Sequence, residues 1–211
     1  MNTYFRFFVF LVAFLSLSIT AYALPITSSE DFLNAKTTTF TAVGHISGEG
    51  PYDVGGGISV TGAPWVTLGN NNVYFSVPGG NGEWENFSFV GANFGGITFN
   101  LGRLVSSVGV FMNYSPINSW LNIAALGVDG KALEVYGIEY APISTPNGYN
   151  DGAFRGISRS NNDIAYLYIW SNTVFAMHSI TYGTVPEPAT MLLFGIGLVG
   201  LEGFRRKFKK Q

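Results

Sequence analysis

Two histidines, His45 and His178, and eleven carboxylates are the groups between residues 24 and 184 of this 211-residue chain that could run acid–base or metal chemistry. Their spacing assembles neither. There is no His-Glu-x-x-His, and the serines of Gly57-Ile58-Ser59-Val60-Thr61 and Gly156-Ile157-Ser158-Arg159-Ser160 lack the closing glycine of a Gly-x-Ser-x-Gly elbow. With no cysteine in the chain there is no nucleophilic thiol, no thiolate metal site and no disulfide. Glu83 and Glu85 flank Trp84 and are the best carboxylate pair, the minimum that glycoside hydrolysis needs. No motif sets either of them in the apolar pocket that makes a general acid, so they read as rim acids. The expectation is that the protein is not an enzyme, with a polysaccharide hydrolase using Glu83 or Glu85 as the least favoured alternative.

Binding chemistry is better represented. Trp65, Trp84 and Trp120 adjoin loops rich in Gly, Pro, Asn and Ser. An exposed indole beside amides can stack on the apolar face of a sugar while the amides bond its hydroxyls, so these three are candidate glycan-binding residues. Core lids at strand ends are the alternative for each. Asn70-Asn71-Asn72 and Asn161-Asn162-Asp163 could coordinate a structural calcium through oxygen, or simply supply turn chemistry. No cofactor is expected, and no metal site is defined.

The C-terminus holds a more specific pattern. Val185-Pro186-Glu187-Pro188 precedes an apolar run from Ala189 to Gly203 and a basic cluster of Arg205, Arg206, Lys207, Lys209 and Lys210. The prolines remove two backbone donors and keep the segment extended. The run is fit for lipid but short against the roughly 20 residues of a stable span, and the cations behind it favour the cytoplasmic side. This tail resembles the PEP-CTERM sorting signal, with Glu202 as the one departure inside the span. The resemblance implies recognition and cleavage by an exosortase in a Gram-negative envelope, after transient residence in the inner membrane.

At the other end Arg6 precedes an apolar run, Phe7 to Leu17, and Ala21-Tyr22-Ala23 places small residues at Ala21 and Ala23, the positions a signal peptidase reads. Residues 1–23 are therefore expected to be a secretory signal peptide, residues 24–184 an exported domain, and residues 185–211 the sorting signal with a single hydrophobic helix. Six of the eleven Lys and Arg lie in the two ends, leaving five against eleven acids in the domain, a net charge of −6. No basic stripe exists to neutralise phosphates, which excludes nucleic acid as a partner. Charge is sparse throughout, at 11% of residues, so Asn, Ser, Thr, Gly and Tyr must carry the surface, a composition suited to neutral hydrogen-bonding partners such as exopolysaccharide.

These residues need a scaffold, and the apolar period is two wherever it is visible. Ser28 or Ser29 before Glu30 and Asp31 can cap one or two helical turns. Strands are predicted at 37–43, 58–61, 72–77, 86–90, 96–101, 105–114, 121–126, 131–136, 154–158, 164–170 and 174–182, with a loop over 44–57. Asp129-Gly130 suits a tight hairpin. In the last strand strict alternation puts Val174, Ala176, His178, Ile180 and Tyr182 on one face and Phe175 and Met177 on the other. The segments Ile97-Thr98-Phe99, Val108-Gly109-Val110-Phe111, Asp129-Gly130 and Phe175-Ala176-Met177-His178 resemble a jelly-roll sandwich common in proteins with this tail. The expected fold is an all-β, antiparallel, jelly-roll-like sandwich. The expected function is an exported, exosortase-processed surface or matrix protein with a structural or adhesive role, or alternatively a carbohydrate-binding module.

Overall fold

A computed structural model describes residues 24–41, 44–70, 88–114, 120–138 and 152–185. The predicted leader, the strand at 72–77, Trp84 with its two glutamates, and everything after Val185 lie outside these residues.

Two antiparallel sheets pack face to face. The larger contains β1 (Leu24–Ile26), β2 (Lys36–Thr39), β3 (Ile46–Gly48), β6 (Val66–Asn70), β7 (Ser88–Ala92), β9 (Ser107–Tyr114), β12 (Ala153–Ser158) and β14 (Phe175–Gly183). Its order is β1-β12-β9-β14-β7-β6-β3, with β2 also paired to β14. The smaller contains β4 (Tyr52–Gly55), β5 (Ile58–Ala63), β8 (Gly95–Val105), β10 (Leu121–Leu126), β11 (Ala132–Gly137) and β13 (Ile164–Ser171), in the order β11-β10-β13-β8-β5-β4.

The core lies between the sheets and follows the alternation. Ile97, Phe99 and Leu101 of β8 face Val108, Val110 and Met112 of β9, all fully buried. Phe40 stacks on Phe99 with ring centroids 5.6 Å apart. Each such side chain removed from water stabilises the fold by about 1.5–3 kcal/mol, so packing alone can hold a domain with no disulfide.

Several expectations are corrected. The glycine-rich stretch 44–57 is not all loop: Ile46–Gly48 and Tyr52–Gly55 are short strands, because each pairs along a neighbour and Val54 is buried. Val66–Asn70 is a further strand hidden between Pro64 and the Asn70-Asn71-Asn72 turn signal. The helical turn is a single 3-10 turn, Ser29–Asp31, capped as expected by Ser28, whose Oγ accepts from the Glu30 N–H at 3.2 Å. The strand predicted at 37–43 spans Lys36–Thr39. In the β10–β11 connection only Gly130 takes positive φ (+74°), and the Asp129 Oδ1 accepts from the Lys131 N–H instead of sharing that conformation.

The faces of β14 are also corrected. Its register against β9 shifts between Met177 and Ser179, a bulge that inserts His178. Phe175, Met177, Ile180 and Tyr182 therefore all join the core, while Ser179 and Thr181 line the outer face of the sheet with His178.

Candidate functional site

Strand register gives the sandwich two distinct ends. At one of them Leu24 pairs with Ser158, Ser158 with Ser107, and Ser107 with Gly183. The first described residue of the domain and its last strand thus finish in one cross-strand row. Just beyond it the exit is held by side-chain amides. Asn34 Nδ2 donates to the Thr184 carbonyl at 3.0 Å, and Asn162 brackets Val185, donating to its carbonyl at 2.9 Å and accepting its N–H at 3.1 Å.

The Asn162 loop is itself fixed. Arg159 makes a forked pair with Asp163 at 2.9 and 3.0 Å and reaches Glu134 at 3.5 Å. The Asp163 hydrogen bonds, foremost, push the guanidinium pKa further up against the cost of burial. The Arg159 N–H donates to Ser106, and Ser106 donates to the Gly183 carbonyl from both N–H and Oγ. Asn161-Asn162-Asp163 is thus turn and clasp chemistry: the side-chain oxygens of Asn162 and Asp163 accept from Val185 and Arg159. Among the described residues no group of three His, Asp or Glu side chains could hold a metal.

At the opposite end a second row forms. Leu121 pairs with Ser171, Ser171 with Gly95, and Gly96 with Ala63. Trp120, Asn172 and Phe94 adjoin that row directly, and Trp65 lies two residues past Ala63. They project from four adjacent strand ends, about 14 Å from first to last at the usual strand spacing. Trp120 is 63% exposed, Phe94 50% and Trp65 45%, so these aromatics lie at the surface rather than closing the core. Trp65 meets Phe94 edge to face at 6.3 Å, and the Trp120 N–H donates to Asn172 Oδ1 at 2.7 Å. Gly95 takes φ +93° at the turn, and a Cβ there would strike the Ala63 carbonyl, so the close return of Trp65 toward Phe94 requires glycine.

A cleft of about 550 Å³ opens on the outer face of the larger sheet, with Ser28, Thr37, Ser179, Thr181, Phe111 and His178 in its wall. Its lining carries no carboxylate, ammonium or guanidinium. Burial pushes the His178 pKa down, keeping the imidazole neutral, and the ring meets Phe111 edge to face at 6.0 Å. Several hydroxyls are already engaged: Thr37 and Thr181 bond each other at 2.9 Å, and Ser28 caps Glu30. His45 stands elsewhere, close to Gly69.

Of the candidate residues, Val185, Trp65 and Trp120 fall within the described residues; Ala21, Ala23, Trp84, Glu83, Glu85, Pro186, Glu187, Pro188 and the basic cluster do not. The structure brings Trp65 and Trp120 to one end and puts Val185 at the other. Sequence reasoning passed over Phe94, Asn172 and Asn34 and gave Asn162 only as a turn or calcium candidate, since long-range pairing alone brings these residues into place.

Residues 184–207 match the PEP-CTERM protein-sorting motif, which marks an exported protein with a C-terminal sorting tail. No curated protein matches the chain. Solved structures with a similar outline include a DUF4465 family protein from Bacteroides caccae, at 7% identity over 81% of this chain and 96% of that one with a TM-score of 0.41. Another is CsCBM6-3 from Clostridium stercorarium in complex with cellobiose, at 12% identity over 79% and 100% with a TM-score of 0.31. The K1 cleaved adhesin domain of Lys-gingipain from Porphyromonas gingivalis has 11% identity over 79% and 100% with a TM-score of 0.34. What those proteins bind belongs to them, since sites are grafted on folds and must be argued from their own residues.

Proposed function

We propose that this is a non-enzymatic exported protein, held briefly at the inner membrane by its C-terminal segment, cut there by an exosortase, and then serving a structural or adhesive role at the cell surface or in exopolysaccharide. One observation carries the reading: Asn162 clasps Val185 against the domain, and the next residue in sequence is Pro186 of the sorting motif. In sequence, the Pro-Glu-Pro that a processing enzyme would read thus follows directly on a residue held by the domain. Leu24, the residue after the expected signal-peptidase site, already pairs in the larger sheet, which supports cleavage after Ala23. Intact mass of the secreted form tests the proposal. The expected product starts at Leu24 and lacks Arg205 to Gln211; a secreted form that keeps those residues overturns it.

A second reading, carbohydrate binding, is favoured by the exposed row of Trp65, Phe94 and Trp120 with Asn172 beside it. Aromatic faces with neutral amides suit uncharged sugars rather than phosphates or cationic partners. Pull-down of the processed protein on insoluble polysaccharides and on exopolysaccharide from the producing cell decides it. Retention is expected, and passage through every polymer removes the reading.

A further inference from the structure

We infer that the end of the sandwich bearing Leu33, Leu104 and Val128 is a membrane-contacting surface, seated on the bilayer interface for as long as the sorting tail is uncut. The inference rests on the proposed reading of the apolar run from Ala189 as a membrane segment.

Three observations support it. The first is reach. Only Pro186, Glu187 and Pro188 separate Val185 from Ala189. Three or four extended residues span about 10–14 Å, and the headgroup layer on each side of the hydrocarbon is on the order of 5–8 Å thick. With Val185 held against the fold, the domain therefore has a few ångströms of slack between this end and the headgroups.

The second is direction. The Asn34 and Asn162 amides hold Thr184 and Val185 against the fold, so the tether leaves from a defined place and the same end of the sandwich faces the membrane. The aromatic row lies at the far end of β14, about 26 Å away for eight residue steps, pointing outward.

The third is surface chemistry. Leu33 is 60% exposed, Leu104 46% and Val128 72%. Leu33 lies against Gly183 through its carbonyl. Leu104 is two residues from Ser106, which bonds Gly183, and follows Arg103, whose guanidinium sits 5.1 Å over the Tyr182 ring. Val128 projects from the β10–β11 turn at the same end, since Leu126 pairs with Tyr166 near the start of β13. Water gains from covering such side chains, and an interfacial bilayer layer covers them. Charges at this end nearly balance in sum: Lys131 pairs with Asp129 and Arg159 with Asp163 and Glu134, while Arg103 and Lys36 stand against Glu30 and Asp31. Contact is therefore apolar and tethered, with little dependence on anionic lipid.

The chain has no cysteine, so single-cysteine labelling tests this directly. Leu104→Cys, Val128→Cys and, at the far end, Phe94→Cys are made in the chain from Leu24 to Gln211 with the tail intact. Each is labelled with an environment-sensitive fluorophore and reconstituted into phosphatidylcholine vesicles carrying a headgroup nitroxide. All three positions are exposed, so folding is retained, and native-like circular dichroism checks it. Quenching at positions 104 and 128 severalfold above that at 94 is expected, changing less than twofold when a third of the lipid is phosphatidylglycerol. Vesicle flotation separates the two ways of failing. Protein that floats with equal quenching at all three positions overturns this inference alone, whereas protein that does not float removes the membrane-segment reading and this inference with it.

Discussion

The side chain of Asn162 closes both backbone groups of Val185, donating from Nδ2 to the carbonyl at 2.9 Å and accepting the N–H on Oδ1 at 3.1 Å. The geometry is that of one rung of a β-ladder, made by a side chain instead of a strand. The residue it holds immediately precedes the sorting prolines in sequence.

Replacing Asn162 with Ala removes both bonds and frees the exit. Each hydrogen bond contributes about 1 kcal/mol net, so a loss of about 1–2 kcal/mol is expected, or a fall in Tm of roughly 2–8 °C for a domain of this size. Thermal melting of the processed protein measures it, and an unchanged Tm would show the clasp to be idle.

Phe32 packs edge to face on Phe154 at 5.4 Å and lies over Gly156, where a Cβ would come within 2.8 Å of its ring. Phe32→Ala should cost about 3–5 kcal/mol, as for other buried aromatics. Gly156→Val should cost about 1–3 kcal/mol by lifting the same ring. Chemical denaturation of the two single variants and the double checks the shared cause, because the double should lose less than the sum.

His178 is harder to protonate in the fold than in the open chain, where its ordinary value is 6.5. The unfolded chain then takes up a proton at higher pH than the folded one, so stability rises with pH across this window. It should be full above about pH 7.5 and fall as pH drops through 6.5 toward the lower folded value. His178→Gln should flatten the denaturation midpoint between pH 7.5 and 5.5; an equally steep profile in the variant would assign the effect to another group.

Trp65 and Trp120 are exposed enough that each change to Ala should alter stability by less than about 1 kcal/mol. If the aromatic row holds sugar, each should weaken polysaccharide binding at least tenfold, about 1.4 kcal/mol. Affinity electrophoresis in gels cast with the polymer reads both variants, and binding that survives the double Trp65→Ala, Trp120→Ala change would place the site elsewhere.

Much of the fold is legible locally. Ile97, Phe99 and Leu101 alternate because β8 has a single buried face, and Leu121–Leu126 begins and ends where its apolar pattern does. Ile46 and Val54 were masked by their glycine neighbours, since glycine signals turns by composition whether or not a short edge strand intervenes. The bulge at His178 shifted a period-two reading by one residue and moved Ile180 and Tyr182 to the opposite face from the one alternation assigns. Trp65 and Trp120 stand out by type, but their shared end follows from pairings between strands distant in sequence. Asn34 and Asn162 look like ordinary turn residues until Thr184 and Val185 arrive beside them.

The Thr37 and Thr181 hydroxyls bond each other although they stand 144 positions apart, because the final strand lies in the interior of its sheet, flanked by β9 on one side and by β7 and β2 on the other. Contacts of such long sequence separation are slow to form, and none of them can form before that strand is present. On the proposed route, with a leader that takes the chain out N-terminus first, the larger sheet is completed only once its last-made member has emerged. At that moment the segment still behind it is the sorting tail. On that route completion of the domain and arrival of the sorting tail coincide, so a chain stalled short of β14 would present neither.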